Sequence, residues 1–205
     1  DPDAGLAYVG AVRLDPGADA PFRTVRAHGM ALAGDHLLVA TSAGLFDVDV
    51  ADPASPVVRP PGAGLQGVIS AVAVAPDGSR AWACGGQLDA GGVTALDLTD
   101  PGALRIAGTH RTDHALLDCA TDGTTLWATT GSETHDVARY AVANGVAPRP
   151  IDAFRPAGGV AHTVELLGSR LVLGATDVEA SAGSPDPAPA APLASGRHGL
   201  LVYDV

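Results

Sequence analysis

Short apolar runs recur along the chain at a nearly constant spacing. One set of runs centres on Val39, Trp82, Trp127 and Leu173, which are 43, 45 and 46 residues apart. Each run has one apolar segment before it and another after it, with turn residues between them. No segment keeps a 3.6-residue apolar period over three turns, so the pattern predicts many short strands and few helices.

Turn residues fall between these runs where β-hairpins require them. The sequences PDGS at 76–79 and TDGT at 121–124 join the first strand of a unit to the second. Asp-Pro pairs at 52–53 and 100–101 open the turn after a third strand, because proline presets φ there. The fourth run of each unit is weaker, as expected for an outer strand that meets solvent.

A repeat of roughly 45 residues with four short strands is typical of a β-propeller blade. The predicted blades span approximately 28–60, 68–108, 114–155 and 162–205, and a lone strand at 6–14 precedes them. The sequence therefore predicts one all-β domain over 1–205. We expect a four-bladed β-propeller of four antiparallel strands per blade, closed by pairing of the N-terminal strand with the C-terminal blade. Two alternatives stay open: the chain is a piece of a larger propeller, or two chains complete a bigger ring.

Three of the third strands, with the turns after them, are similar to one another. The segments are GLFDVDVADPASP at 44–56, GGVTALDLTDPGAL at 91–104 and GLLVYDV at 199–205. They resemble the LVIVD-type repeat of bacterial, mostly exported, β-propeller proteins, while residues 139–142 of the third blade lack the aspartate. The resemblance implies the fold and a secreted, periplasmic or cell-surface protein, and it supplies no catalytic residues. The shared aspartates are expected to accept hydrogen bonds from the following turn, and they are Asp49, Asp97 and Asp204.

Composition and charge narrow the classes of function. All 12 basic residues are arginine, which excludes Schiff-base chemistry and a lysine general base. A net charge of −11 disfavours nucleic-acid and anionic-membrane partners. No apolar run approaches the roughly 20 residues that span a bilayer. Cys84 and Cys119 form no CxxC motif, which leaves two buried thiols or, in an exported protein, a disulfide.

Seven histidines are the unusual feature of the composition, and topology places all but His36 on one face of the propeller. His28 and His162 are equivalent by repeat and begin innermost strands, which line the channel. His114 is expected at nearly the same place in the third blade, shifted by a one-residue bulge. We expect these three histidines to bind a divalent transition metal, either zinc, copper, iron or nickel. The alternative is that they hydrogen-bond channel waters or backbone carbonyls and bind no metal.

A second group of polar residues is predicted on the same face. His135 and His198 are equivalent residues of the loop between second and third strands, and His110 ends a fourth strand nearby. The first two are the candidate catalytic residues, acting in proton transfer. Arg26 and Arg155 are expected near the channel mouth, where they would hold a substrate carboxylate.

Two functions follow from this arrangement. One is a metal-dependent lyase or hydrolase. The other is a non-catalytic extracellular module that binds a small-molecule or protein ligand on the histidine face. An Ala/Pro-rich insertion at 179–197 is predicted on that face, either as a lid or partner-binding loop or as a tolerated surface insertion. The sequence leaves the oligomeric state open.

Overall fold

The computed structural model describes residues 9–15, 25–59, 65, 67–87, 90–100, 104–130, 136–143, 147–156, 160–176 and 198–205. Over these residues the chain forms four antiparallel sheets, which confirms the predicted all-β fold with four β-propeller blades. The strands are β1 (Ala27–Ala33), β2 (His36–Thr41), β3 (Gly44–Asp49), β4 (Val57–Val58), β5 (Ile69–Val74), β6 (Arg80–Gln87), β7 (Ala90–Asp97), β8 (Arg105–Thr112), β9 (Asp118–Thr121), β10 (Thr125–Thr129), β11 (Val137–Ala141), β12 (Arg149–Phe154), β13 (Val160–Leu167), β14 (Arg170–Thr176) and β15 (His198–Asp204).

Each sheet is a meander whose strands follow one another in chain order. The first three blades are β1–β4, β5–β8 and β9–β12, and the described part of the last blade is β13–β15. Strand β5 packs against β1 and β9, and β9 packs against β13, so the first strand of each blade is the innermost one. No helix in the described part of the chain is long and apolar enough to cross a membrane.

The N-terminal segment differs from its predicted role. Its described part, residues 9–15, contains no strand and lies against the first blade, where Leu14 packs on Phe46 and Val48. Gly10 lies so close to the connection between β3 and β4 that an added Cβ would be 2.4 Å from a carbonyl oxygen. The predicted pairing with the C-terminal blade is thus not made by residues 9–15, because they lie against the first blade, where Leu14 is partly buried. The beginning of the predicted strand, residues 6–8, lies outside the described residues.

A β-bulge in the innermost strand shows which residues are equivalent between blades. The register shifts by one residue at His28, Ser70 and His162, each of which lies unpaired in its strand. In the third blade Leu117 has the position of the bulge residue. Its backbone N–H donates to the Thr129 carbonyl, and Thr129 also pairs with the next residue, Asp118, so two residues of one strand oppose one residue of its neighbour. The bulges confirm that His28 and His162 are equivalent.

The same register corrects the repeat alignment by one residue in the first and last blades. The equivalent second-strand residues, which are 44, 45 and 45 apart, are Leu38, Trp82, Trp127 and Val172. The first three are buried against the following blade: Trp82 packs with Leu126, and Trp127 with Leu173. Both tryptophans are therefore core residues, as predicted.

The repeat aspartates have the predicted role in two blades. The Asp49 carboxylate accepts a hydrogen bond from the Ala51 N–H (3.0 Å), and the Asp97 carboxylate accepts one from the Thr99 N–H (2.9 Å). These hydrogen bonds, with the Arg59 and Thr99 side chains, lower the pKa of both carboxyl groups. The Asp204 carboxylate instead lies 3.7 Å from the Arg170 guanidinium.

Candidate ligand-binding cleft

The two bulge histidines lie at the exposed starts of their innermost strands. His28 is exposed, and so is His162, whose Nε2 is 2.9 Å from the Thr176 hydroxyl. The His162 carbonyl accepts a hydrogen bond from the Thr129 hydroxyl of the preceding blade. Bulges leave side chains outside the regular pleat, which explains why repeat-equivalent positions carry polar residues in three blades.

His114 does not occupy the repeat position that the sequence predicts. It lies three residues before the bulge residue Leu117, in the bend that follows β8. Its Nδ1 is 2.5 Å from the Asp113 carboxylate, and its carbonyl accepts a hydrogen bond from the Thr112 hydroxyl (2.6 Å). A Cβ added to Gly91 would lie 1.8 Å from the same carbonyl. The link between β8 and β9, residues 113–117, therefore passes directly over this glycine.

Across the described part of the chain, no three His, Cys, Asp or Glu side chains are grouped so that they could hold a metal ion. The divalent metal expected at His28, His114 and His162 therefore stays a prediction from the sequence. The side chains of the candidate catalytic pair, His135 and His198, lie outside the described residues, although the His198 backbone opens β15. The insertion at 179–197 also lies outside them.

The two candidate substrate-binding arginines lie in different surroundings. Arg26 is exposed, and its backbone exchanges hydrogen bonds with Ser42 (2.9 and 3.0 Å). The Arg155 Nε lies 3.7 Å from a carboxylate oxygen of the fully buried Asp136. Arg155 is thus directed toward an internal carboxylate.

The structure shows a cleft that the sequence did not predict, between the outer parts of the second and third blades. It has a volume of about 450 Å³ and is formed by the end of β8, the link after it, and strands β11 and β12. The lining residues are His110, Arg111, Thr112, Asp113, His114, Ala138, Arg139, Tyr140, Pro150, Asp152 and Ala153. Two of the seven histidines, His110 and His114, therefore line one cleft, and neither is a bulge residue of an innermost strand.

Aromatic packing forms one wall of the cleft. The His110 ring lies 5.5 Å from the Tyr140 ring, with the two planes inclined by 57°. Tyr140 is buried, and the loss of solvent around its hydroxyl raises the pKa of Tyr140 to about 12. The phenol is therefore neutral over the physiological pH range.

The charged groups of the cleft are partly paired with one another. Arg139 donates from Nε to the Asp152 carboxylate at 2.6 Å, and this ion pair lowers the pKa of Asp152. The Asp113 carboxylate faces His114. Arg111 is exposed at the end of β8, and the ion pairs of the described residues do not include it. The cleft thus presents one unpaired cation beside two imidazoles.

Solved structures with a similar fold are β-propellers. The β-propeller domain of Cps50 (Swd1) from Myceliophteria thermophila has a TM-score of 0.55 and 14% identity, covering 88% of this chain and 54% of that one. Hydrazine synthase from Kuenenia stuttgartiensis has a TM-score of 0.57 and 15% identity, covering 85% and 46%. This chain has a β-propeller fold.

A protein from Lactobacillus plantarum has a TM-score of 0.59 and 20% identity, covering 74% of this chain and 50% of its own. The propeller described here thus spans about half the length of the solved structures that it matches. Identities this low establish the fold alone. No protein-family model and no curated protein matches the sequence.

Proposed function

We propose that this propeller is a non-catalytic binding module that holds a carboxylate-bearing ligand with an apolar body in the cleft between its second and third blades. The observation that carries the proposal is the position of Arg111, an exposed cation at the rim of a cleft with apolar walls. A guanidinium binds a carboxylate through two parallel hydrogen bonds, which sets both affinity and orientation.

The surrounding side chains support this ligand chemistry. The His110 and His114 imidazoles lie beside Arg111 and can donate further hydrogen bonds to a carboxylate. The two acidic residues of the cleft already face His114 and Arg139, which reduces their repulsion of an anion. Ala138, Pro150 and the edge of Tyr140 provide apolar surface for the body of the ligand.

Binding accounts for this cleft more simply than catalysis does. Its phenol is held neutral by burial, and the one aliphatic hydroxyl among its lining residues, that of Thr112, donates to the His114 carbonyl. The resemblance to the LVIVD-type repeat supports a secreted, periplasmic or cell-surface location, where small binding propellers would meet such ligands. A metal-dependent reaction would instead rest on His28, His114 and His162, of which only His114 lines this cleft.

Matched probes test the proposed ligand chemistry. We expect isothermal titration calorimetry to detect binding of 3-phenylpropionate and much weaker binding of its uncharged amide. R111Q should weaken binding of the acid by about 10-fold or more, because a charge-assisted hydrogen bond contributes roughly 1.5–3 kcal/mol. R105Q is the matched control, since Arg105 lies on the same strand but pairs with Asp100 at 3.0 Å. Equal binding of acid and amide, or an unaffected R111Q, would contradict the proposal.

A further inference from the structure

The first blade exposes an apolar position that is buried in the other three blades. Met30 on β1 faces the second-strand residue Val39, and its side chain is 66% exposed. The equivalent residues Val72, Cys119 and Val164 are 7%, 7% and 3% exposed, because each packs against the preceding blade. Leu32, two residues further along β1 on the same side, is 61% exposed.

The last blade shows the same contrast on its opposite side. Leu200 on β15 faces Gly174 and is 61% exposed. The equivalent residues Leu45, Val93 and Val137 are 6%, 0% and 0% exposed, since a following blade covers them. Val172 and Val202 lie on this side too, so the last blade keeps the apolar pattern of a blade that has a following neighbour.

Among the described residues, these two surfaces do not cover each other within one chain. The innermost strands pack in the order β1, β5, β9 and β13, and over the described residues β13 has no comparable packing against β1. Residues 9–15 cover part of the first blade around Phe46, but they leave Met30 and Leu32 exposed. The first and last blades thus expose large apolar side chains at positions that are buried between blades elsewhere in the chain. Exposed apolar surface of this kind indicates an interface.

We propose that a second copy of this chain covers both surfaces. The surface around Met30 of each copy packs on the surface around Leu200 of the other, and the two copies together form one larger ring. Such a contact joins unlike surfaces, and it closes when a two-fold rotation repeats it once in each direction. The solved propellers support a larger ring, because the part of this chain that aligns with them covers only 46%, 54% and 50% of their lengths.

The mass of the native protein tests the proposal. We expect light scattering behind size-exclusion chromatography to give a dimer of the 20.4 kDa chain. M30D and L200D should each yield a monomer, because both junctions of the ring use both surfaces. The control variant I151D changes an exposed apolar residue of the outer strand β12 and should remain a dimer. Near-UV circular dichroism checks that the variants keep their packing, which is expected because each residue is exposed.

Mixing the two variants distinguishes this ring from other dimers. M30D and L200D monomers together should recover a dimer, since one of its two junctions then contains only unchanged surfaces. In a dimer in which one surface packs on the same surface of the other copy, only one of the two substitutions would produce a monomer. A wild-type chain that stays monomeric at 100 μM would overturn the proposal, and further blades of a longer polypeptide would then be the neighbours of these surfaces.

Discussion

The His110 ring of the second blade packs at a tilt of 57° against the Tyr140 ring of the third blade, with their centroids 5.5 Å apart. This contact joins the outermost strand of one blade to the face of the next, and it forms a wall of the cleft. Tyr140 is equivalent to the buried residues Val48 and Leu96 of the first two blades, and the next residue, Ala141, has the position of the repeat aspartate. The contact with His110 therefore involves a core residue of the third blade.

Alkaline pH should destabilise the protein through Tyr140. Burial raises the pKa of Tyr140 from 10 to about 12, so the folded state retains a proton that the unfolded state releases. This contribution is complete below pH 10 and is lost as the pH rises toward 12, and it amounts to at most about 3 kcal/mol. We expect the free energy of unfolding of Y140F, measured in urea, to fall less steeply than that of the wild type between pH 9 and 11. Parallel curves would show that the Tyr140 hydroxyl is accessible to solvent.

Gly91 should control the position of His114. An alanine Cβ at this position would meet the His114 carbonyl, which belongs to the backbone and has to move. We expect G91A to weaken binding of 3-phenylpropionate several-fold, although residue 91 does not line the cleft. G29A is the control, because its Cβ would be 3.4 Å from the nearest atom. Unchanged affinity in G91A would mean that the link position does not matter for binding.

Asp118 links the third blade to the fourth through backbone hydrogen bonds. Its carboxylate accepts from the Val164 N–H at 2.9 Å and from the Cys119 N–H, while burial raises the pKa of Asp118 above its usual value. A raised pKa means that ionisation of this carboxyl group costs stability as the pH rises through that pKa. D118N keeps one uncharged acceptor oxygen for the Val164 N–H, while its NH2 replaces the oxygen that accepts from the Cys119 N–H, so it should lose less stability at pH 7 than the alanine variant.

The alanine variant supplies the contrast. D118A leaves the Val164 N–H without its acceptor and should cost roughly 1–3 kcal/mol in the free energy of unfolding. Thermal denaturation at pH 7 and at pH 4 measures both variants. The wild type should gain stability relative to D118N at the lower pH, where more of the Asp118 carboxyl group is protonated, and a D118A protein as stable as D118N would refute the role of this hydrogen bond.

The two thiols should be inert in the folded protein. Cys84 and Cys119 are free and buried in the interface between the second and third blades, and burial raises the pKa of the Cys119 thiol. We expect no reaction with a thiol reagent in native buffer and two equivalents in urea. Rapid labelling of the native protein would indicate that this interface opens.

The repeat could be predicted from the sequence because turn residues and apolar runs are local features. Its register could not, since the bulges at His28, Ser70 and His162 arise from pairing between strands. The repeat alignment made from the sequence is therefore wrong by one residue at Val39 and Leu173, since the residues equivalent to the tryptophans are Leu38 and Val172. The alternative of a larger ring also needed the exposure of Met30 and Leu200, which sequence alone does not give.

The candidate site was only partly predictable for a related reason. Six histidines were expected on one face, and the structure brings His110 and His114 together in one cleft. Tyr140, which packs against His110, and Arg139, which lines the same cleft, belong to the next blade, and only the packing of two blades brings these residues together.

The central claim is tested most directly by nuclear magnetic resonance of the histidine side chains during a titration with 3-phenylpropionate. The account predicts that the imidazole signals of His110 and His114 shift and saturate with one dissociation constant, while those of His28 and His162 stay unchanged. Shifts confined to His28 and His162, or no shift of any histidine at saturating ligand, would contradict it.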